Sequence, residues 1–316
     1  MKASPSLNRI LSRFGTLIAL ALLFIAFATL IPGFSRSANL MNILQQISLL
    51  AIISEGFTMA LIVDELDLAF PGVASLAGVV SAGLLFKGIS PLAAIALSLC
   101  IGLAFGLFAG FLVTGIGISS LIATLASGII AGGTIYMYTG GLSFYGEMPA
   151  SFLALGRGYI GPMPIVILLM AIVVIAAQVF ISTTRAGAYL QATGQNARAA
   201  RLMGINTSAY KVLAFVLSGL GAAFTGILLT ARLGSANPEG ASGYMMDTFA
   251  AALLGMTVLS RGRANPFGTF IGALMIGIIN NGMTLAGAPY YMQDITKGVI
   301  IILSVALTAL YSRDRR

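Results

Sequence analysis

The sequence contains no histidine and a single cysteine, Cys100, among its 316 residues. Without histidine, acid/base and metal chemistry based on imidazole is removed, and one cysteine allows neither an internal disulfide nor a cysteine metal cluster. The phosphate-binding pattern GxxxxGK[ST] is also missing, so we expect no ATP site in a P-loop of this chain. Because no nucleophile–base pair is evident either, the sequence favours a protein that is not an enzyme and carries no cofactor.

Charged residues are also scarce, at 8% of the chain, whereas a soluble domain has roughly 25%. Hydrophobic residues make up 58%, and the mean hydropathy is +1.00. The charge-free windows are residues 14–35, 68–86, 88–146, 158–184, 212–231 and 264–293. A helix needs about 20 apolar residues to cross the hydrocarbon core, and continuous apolar runs favour helices over a barrel. The sequence therefore predicts an all-α polytopic membrane protein.

About ten transmembrane helices can be placed on this pattern. They are residues 14–33, 41–63, 70–86, 91–115, 118–139, 163–182, 210–231, 245–260, 266–286 and 293–311. The basic N-terminus leads into the first span without a small-residue cleavage site, so we expect a retained helix. With both termini in the cytoplasm, twelve of the seventeen Lys and Arg residues fall inside, as the positive-inside rule requires. The net charge of +8 is therefore a topology signal and does not indicate nucleic-acid binding.

The longest polar interval, residues 183–211, separates two apolar halves. Within it, Asn196 is suited to cap the N-terminus of a short helix, residues 197–202 are strong helix formers, and Gly204 suits the left-handed position that closes such a helix. Two arginines of this helix lie three positions apart and share one face. The helix is either a docking surface for a partner or a solvated connector whose charge fixes the topology.

Glycines recur at four-residue spacing in several predicted spans. The series are Gly102, Gly106 and Gly110; Gly128 and Gly132; and Gly268 and Gly272. Small residues at this spacing let helices approach closely in lipid, where hydrophobic burial does not drive association. We therefore expect these faces to pack against neighbouring helices, with the lining of a conduit as the alternative.

Ionisable residues at the centre of a membrane helix cost about 2.5–3.5 kcal/mol on insertion scales, so each one requires a reason. Glu55 lies deep in the second predicted span, and three carboxylates follow within residues 64–67, with Asp67 the first candidate among them. They could hold a proton or a cation, or could be satisfied at the interface by water and the next helix. Asn280 and Asn281 in the ninth span either line a polar path or bond across helices.

Four stretches carry a family pattern in the same order along the chain. They are DELDLAFPGVASLAG at 64–78, IATLASGIIAGG at 122–133, TTRAGAYLQATGQNARAARLMGI at 183–205 and ARLGSANPEGASGYMMDTFAAALLGMTVLSRGRANPFGTFIGAL at 231–274. Together they resemble the permease subunits of bacterial ABC importers of the ribose, xylose and galactose type, which include autoinducer-2 importers. The chain departs from that family where Asp64-Glu65 replaces a Gly-Gly pair, and again where Ser260-Arg261 replaces a second Gly-Gly pair.

The resemblance implies a single transmembrane permease domain over residues 1–316, in the bacterial inner membrane, with 183–211 as its cytoplasmic coupling loop. It implies that residues 196–204 form the coupling helix that docks into an ATPase subunit, which binds the ATP. The positions that match the coupling motif are Asn196, Arg198, Ala199, Arg201 and Gly204. It further implies pairing with a second permease, identical or different, and delivery of solute by a periplasmic binding protein.

The leading hypothesis is therefore an importer permease for a small polar solute, with a sugar as the expected cargo. Glu55, Asp67, Asn280 and Asn281 are the candidate residues of the solute pathway. A branched-chain amino-acid or nucleoside permease of the same fold would differ only in its cargo. Two hypotheses from different classes are a secondary transporter driven by ions through the membrane carboxylates, and a structural membrane protein.

Overall fold

Helices account for most of the structure, a computed structural model that describes residues 5–258 and 262–313. The first seven helices are α1 (Pro5–Leu30), α2 (Ser37–Ile62), α3 (Phe70–Phe86), α4 (Pro91–Phe111), α5 (Ser120–Thr139), α6 (Ala150–Arg157) and α7 (Ile165–Thr183). The next six are α8 (Arg185–Gln195), α9 (Ala197–Leu202), α10 (Thr207–Leu233), α11 (Tyr244–Thr257), α12 (Pro266–Leu285) and α13 (Tyr290–Arg313). A π-helical turn, Leu112–Ile116, continues α4. Four two-residue strands complete the set: β1 (Phe144–Tyr145), β2 (Tyr159–Ile160), β3 (Met163–Pro164) and β4 (Ser235–Ala236).

Each of the ten predicted spans falls on an α-helix, but the number of membrane crossings is not confirmed. Among the described residues, six helices are long and apolar enough to cross a membrane: α2, α4 with its π-helical turn, α5, α7, α10 and α12. Helices α3 and α11 have 17 and 14 residues, fewer than the about 20 that a span needs. Most of α3 is buried inside the protein. Its apolar sequence therefore reflects contact with other helices, which hydropathy alone does not distinguish from contact with lipid.

The described chain divides into two compact units. Unit 1 comprises residues 1–47 and 246–316, and unit 2 comprises residues 48–245. The assignment of one transmembrane domain to the whole chain stays a prediction. The last residues of the eighth predicted span, together with the Ser260-Arg261 pair, lie outside the described residues.

Glycine contacts organise unit 2 around α10, as the four-residue spacing predicts. A β-carbon at Gly219 of α10 would overlap the carbonyl oxygen of Gly102 on α4, and one at Gly226 would overlap the carbonyl oxygen of Ala74 on α3. A β-carbon at Gly221 would lie 3.0 Å from the α-carbon of Gly56 on α2. Backbone therefore meets backbone at three sides of α10, which only glycine permits.

At one end of unit 2, the segment between α5 and α7 contains two short strand pairings and α6. Strand β1 pairs antiparallel with β4, and β2 pairs antiparallel with β3. Arg157 Nε of α6 donates to the Arg232 carbonyl oxygen at 2.7 Å, and the Tyr136 hydroxyl donates to Glu239 Oε1 at 2.9 Å. The Arg157 bond and the pairing of β1 with β4 hold the segment to the C-terminal end of α10, and the Tyr136 bond joins α5 to the residues that follow α10.

In unit 1, α11 and α12 pack through their own glycines. A β-carbon at Gly272 of α12 would overlap the carbonyl oxygen of Ala251 on α11, and one at Gly255 would lie 2.5 Å from the Thr269 nitrogen. Helix α1 joins this pair because the hydroxyls of Thr16 and Thr257 lie 2.7 Å apart. The predicted packing role of Gly268 and Gly272 is confirmed here, whereas the prediction is wrong for Gly132 of α5, where a β-carbon would meet nothing within 4 Å.

The contact between α10 and α4 yields a stability prediction. Gly219→Ala is expected to lower the free energy of unfolding by about 1–3 kcal/mol, because the added methyl group forces two backbones apart. Gly132→Ala on α5 is the matched control, since a β-carbon there meets nothing within 4 Å and alanine favours the helix by about 1 kcal/mol. Thermal unfolding of both purified variants in the same detergent measures the difference. Equal melting temperatures would contradict the proposed backbone contact.

Candidate coupling surface and buried polar residues

The short basic helix predicted from the sequence is α9, and both of its ends are as expected. The Asn196 side-chain oxygen accepts the backbone N–H groups of Arg198 and Ala199 at 3.1 and 2.9 Å. This bond satisfies two donors that the first turn leaves free. Gly204 has φ +82° and closes the helix in the left-handed conformation. Local sequence therefore determines both boundaries of α9.

All five predicted coupling residues are exposed, and two further exposed residues were missed. The five are Asn196, Arg198, Ala199, Arg201 and Gly204. Leu202 and Met203 follow Arg201 and are 85% and 82% exposed, whereas Ala200 is buried. Two large apolar side chains beside two arginines form the kind of surface that protein interfaces use. In the sequence, Leu202 counts only as a helix former, and nothing there indicates that its side chain is exposed.

The coupling segment is held directly against two long helices of unit 2. A β-carbon at Gly194 of α8 would overlap the carbonyl oxygen of Ile62, the last residue of α2. The Lys211 ammonium in the first turns of α10 forms an ion pair with Glu65, which follows α2. The rings of Tyr189 and Tyr210 pack edge to face, with centroids 5.3 Å apart. Helix α8 is therefore in direct contact with the end of α2 and with the first turn of α10.

The carboxylates predicted at residues 64–67 have separate partners. Besides the ion pair of Glu65, Asp67 is buried and its Oδ1 accepts the backbone N–H of Ala69 at 2.8 Å, at the start of α3. Burial raises the pKa of Asp64, its neighbour Glu65 raises it further, and Lys211 opposes both effects. The connection is fastened to α5, where Thr124 Oγ1 accepts the Leu68 N–H at 2.9 Å.

The departure from the family pattern at Asp64-Glu65 has a structural explanation. Asp64 has φ +61°, and within the described residues no other non-glycine residue has a positive φ. Glycine adopts this conformation freely, and aspartate tolerates it better than most residues. Asp64 therefore holds a backbone conformation that glycine would also adopt, and Glu65 forms an ion pair with Lys211 that a glycine could not form.

Glu55 lies in an apolar setting. It is 1% exposed, and neither carboxylate oxygen has a hydrogen-bond partner among the described residues. It contributes to the wall of a cavity of about 470 Å³ between α2, α4, α7 and α10. The other residues that line the cavity are Ile52, Gly56, Met59, Leu99, Val173, Ala176, Ala177, Phe180, Leu217, Leu220, Gly221 and Phe224. Because all of these are apolar or glycine, the surroundings of Glu55 do not match the hydroxyl groups of a sugar.

The two adjacent asparagines of α12 face different partners. Asn281 is buried and exchanges two amide hydrogen bonds with Asn39 of α2, at 2.9 and 3.0 Å. Asn280 Nδ2 donates to Asp247 Oδ2 of α11 at 3.2 Å, and the other oxygen of Asp247 lies 2.8 Å from the Lys297 ammonium of α13. Asn280 therefore belongs to a charged cluster in unit 1, whereas Asn281 joins two helices.

Comparisons with known proteins identify relatives along almost the whole chain. The family described as "Branched-chain amino acid transport system / permease component" matches residues 39–305. The ribose import permease protein RbsC of Escherichia coli K12 is 38% identical over 92% of this chain and 91% of its own length. RbsC of Bacillus subtilis is 33% identical over 94% and 93% of the two chains. The D-allose transport system permease protein AlsC of Escherichia coli K12 is 31% identical over 95% and 93%.

The Asn39–Asn281 pair yields a second prediction. Asn281→Leu is expected to lower the free energy of unfolding by about 1–3 kcal/mol, because the Asn39 side-chain oxygen then loses its donor. The double variant Asn39→Leu/Asn281→Leu removes both partners, but it also removes the bond that Asn39 Nδ2 donates to the Phe34 carbonyl oxygen at 2.8 Å, so its loss is expected to be smaller than the sum of the two single losses without returning to zero. Thermal unfolding of the single and double variants checks the pair. If the two losses simply add, the amides do not interact and Asn281 is free for another role.

Proposed function

Because the chain belongs to the branched-chain amino acid transport system / permease component family, we propose that it is the membrane-spanning subunit of an ATP-driven importer of a sugar. The observation that carries this proposal is the similarity to ribose permeases along more than nine-tenths of the chain, at 38% identity for RbsC of Escherichia coli K12. The names of the relatives state ribose and D-allose. On that basis we propose that this chain also transports a sugar.

In this proposal the chain lies in the bacterial inner membrane, with both termini and α9 on the cytoplasmic side. Two copies, or this chain and a related permease, form the pathway, and a periplasmic binding protein delivers the sugar. Separate ATPase subunits bind and hydrolyse the ATP. The excess of Lys and Arg on the predicted inside segments supports this orientation.

Helix α9 is the proposed contact with the ATPase. Arg198 and Arg201 present positive charge from one face, and Leu202 and Met203 supply exposed apolar area beside it. A matching ATPase cleft would have an apolar floor and an acidic rim, because buried apolar contacts give affinity while rim charges give orientation. Substitution of these charged residues can therefore distinguish a docking helix from a solvated connector.

Movement of α9 would reach the membrane helices by two routes. Asn206 follows α9 and caps α10, where its side-chain oxygen accepts the Ala209 N–H at 3.1 Å. The second route runs through Gly194 of α8 to the end of α2, beside the Glu65–Lys211 ion pair. A ligand shifts an equilibrium only through different contacts with its two states. Closure of the ATPases would therefore favour the helix arrangement that fits the displaced α9.

For the solute pathway we propose Asn280, with Asp247 and Lys297 as its neighbours. Amide and carboxylate groups can bond to sugar hydroxyls, and Asn280 Oδ1 has no partner among the described residues. Asp67 and Asn281 have structural partners, and Glu55 faces an apolar cavity. We therefore rank these three below Asn280 as solute contacts.

The contacts of the membrane carboxylates and the family description bear on two alternative functions. An ion-driven transporter would need carboxylates on a polar path, but Glu65 is paired with Lys211 and the cavity beside Glu55 is apolar. A branched-chain amino-acid cargo is the second candidate, because the family description names it. Uptake of labelled ribose and labelled leucine by cells that express the complete transporter would distinguish the two cargoes.

The docking role of α9 can be tested by reversing one charge. Arg201→Glu is expected to reduce the amount of ATPase that co-purifies with the permease at least fivefold, because it places a negative charge against the proposed acidic rim. Lys87→Glu is the matched control, since Lys87 is exposed beyond the end of α3. Both variants should insert in the membrane at the normal level. Equal co-purification of the ATPase with both would refute docking through α9.

A further inference from the structure

The cavity beside Glu55 has the size and lining of a small-molecule site. Its volume of about 470 Å³ lies in the range of about 300–1,000 Å³ that is usual for such sites, and an apolar wall with few polar groups is typical of them. Four of its residues, Val173, Ala176, Ala177 and Phe180, lie three or four positions apart and form one face of α7. Ala176 is exposed, so the cavity is not sealed on this side.

The one carboxylate that lines this cavity has no hydrogen-bond partner in the described part of the chain. Both oxygens of the Glu55 carboxylate are buried and unbonded within the described chain, as are the hydroxyl oxygens of Ser54 and Ser98. The two serines are neighbours in sequence of the lining residues Glu55 and Leu99 but do not themselves line the cavity, so Glu55 is the polar group that a ligand there would meet. Buried polar groups are nearly always hydrogen-bonded, so we expect the Glu55 carboxylate to bind a group from outside the described chain.

The chemistry of the wall defines the ligand. Its apolar residues accept a hydrocarbon chain and exclude a sugar, whose hydroxyls would lose their hydrogen bonds. A carboxylate with two free oxygens is best matched by an ammonium group, which has three donors and the opposite charge. Among the described residues, no Lys or Arg lines the cavity. The ligand must therefore bring the positive charge with it.

We propose that the cavity between α2, α4, α7 and α10 binds a membrane-dissolved amine, with a hydrocarbon chain along α7 and one ammonium group at Glu55. Such a ligand enters from the lipid and is distinct from the imported solute. Its position joins α2 to α7, the helix that leads into α8 and the coupling segment.

The chain contains no tryptophan, so one introduced tryptophan reports on the cavity alone. Phe180→Trp places the reporter in the wall, and Phe108→Trp places the control on an exposed face of α4 outside the cavity. The purified full chain in phosphatidylcholine nanodiscs at pH 7.5 is titrated with 11,12-dibromododecylamine and with the corresponding dibromo alcohol. Bromine quenches tryptophan at contact, so the titration measures occupancy.

The amine is expected to quench Phe180→Trp saturably, with a half-saturation at least fivefold below that of the alcohol. Adding Glu55→Gln is expected to reduce this preference below twofold, and adding Ala177→Phe, which fills the cavity, should abolish saturation for both compounds. Equal half-saturation for amine and alcohol, or quenching as gradual as at Phe108→Trp, would overturn the proposal. If Glu55→Gln does not fold, the amine-to-alcohol ratio and Ala177→Phe decide the question.

Discussion

Backbone-to-backbone contact at glycine is the constraint on which unit 2 depends. Helix α10 touches α4, α3 and α2 at Gly219, Gly226 and Gly221. In lipid, helices gain little from burying apolar surface against one another, so close packing of small residues holds them together. Because backbones have no rotamers to adjust, α10 cannot shift without moving its neighbours. A tightly packed unit of this kind transmits a displacement applied at one end.

The coupling segment contacts this tightly packed unit at the end of α2 and the start of α10. Residues 203–206 alone separate α9 from α10, and α8 packs on the end of α2 beside the ion pair of Glu65 with Lys211. The two helices that receive the displacement are therefore also in glycine contact with each other. In the proposed transporter, the ATPase needs to move one short helix in order to move a whole packed unit.

Local features of the sequence predict more of this architecture than distant ones do. Helix α9 could be predicted with its boundaries because Asn196 and Gly204 act within a few residues. The number of spans could not, because α3 is apolar through burial in protein. Asn280 and Asn281 are equivalent in sequence, and only the packing of α12 assigns them to Asp247 and Asn39. Exposure of Leu202 and Met203 likewise depends on which side of α9 is covered.

In the proposed function, this chain is a gate that a separate ATPase moves. The most direct test is accumulation of labelled ribose by proteoliposomes that contain the purified chain, with and without the ATPase, the binding protein and ATP. We expect accumulation only in the complete system, and none above protein-free liposomes when the chain alone is given a proton or sodium gradient. Uphill accumulation by the chain alone would contradict it.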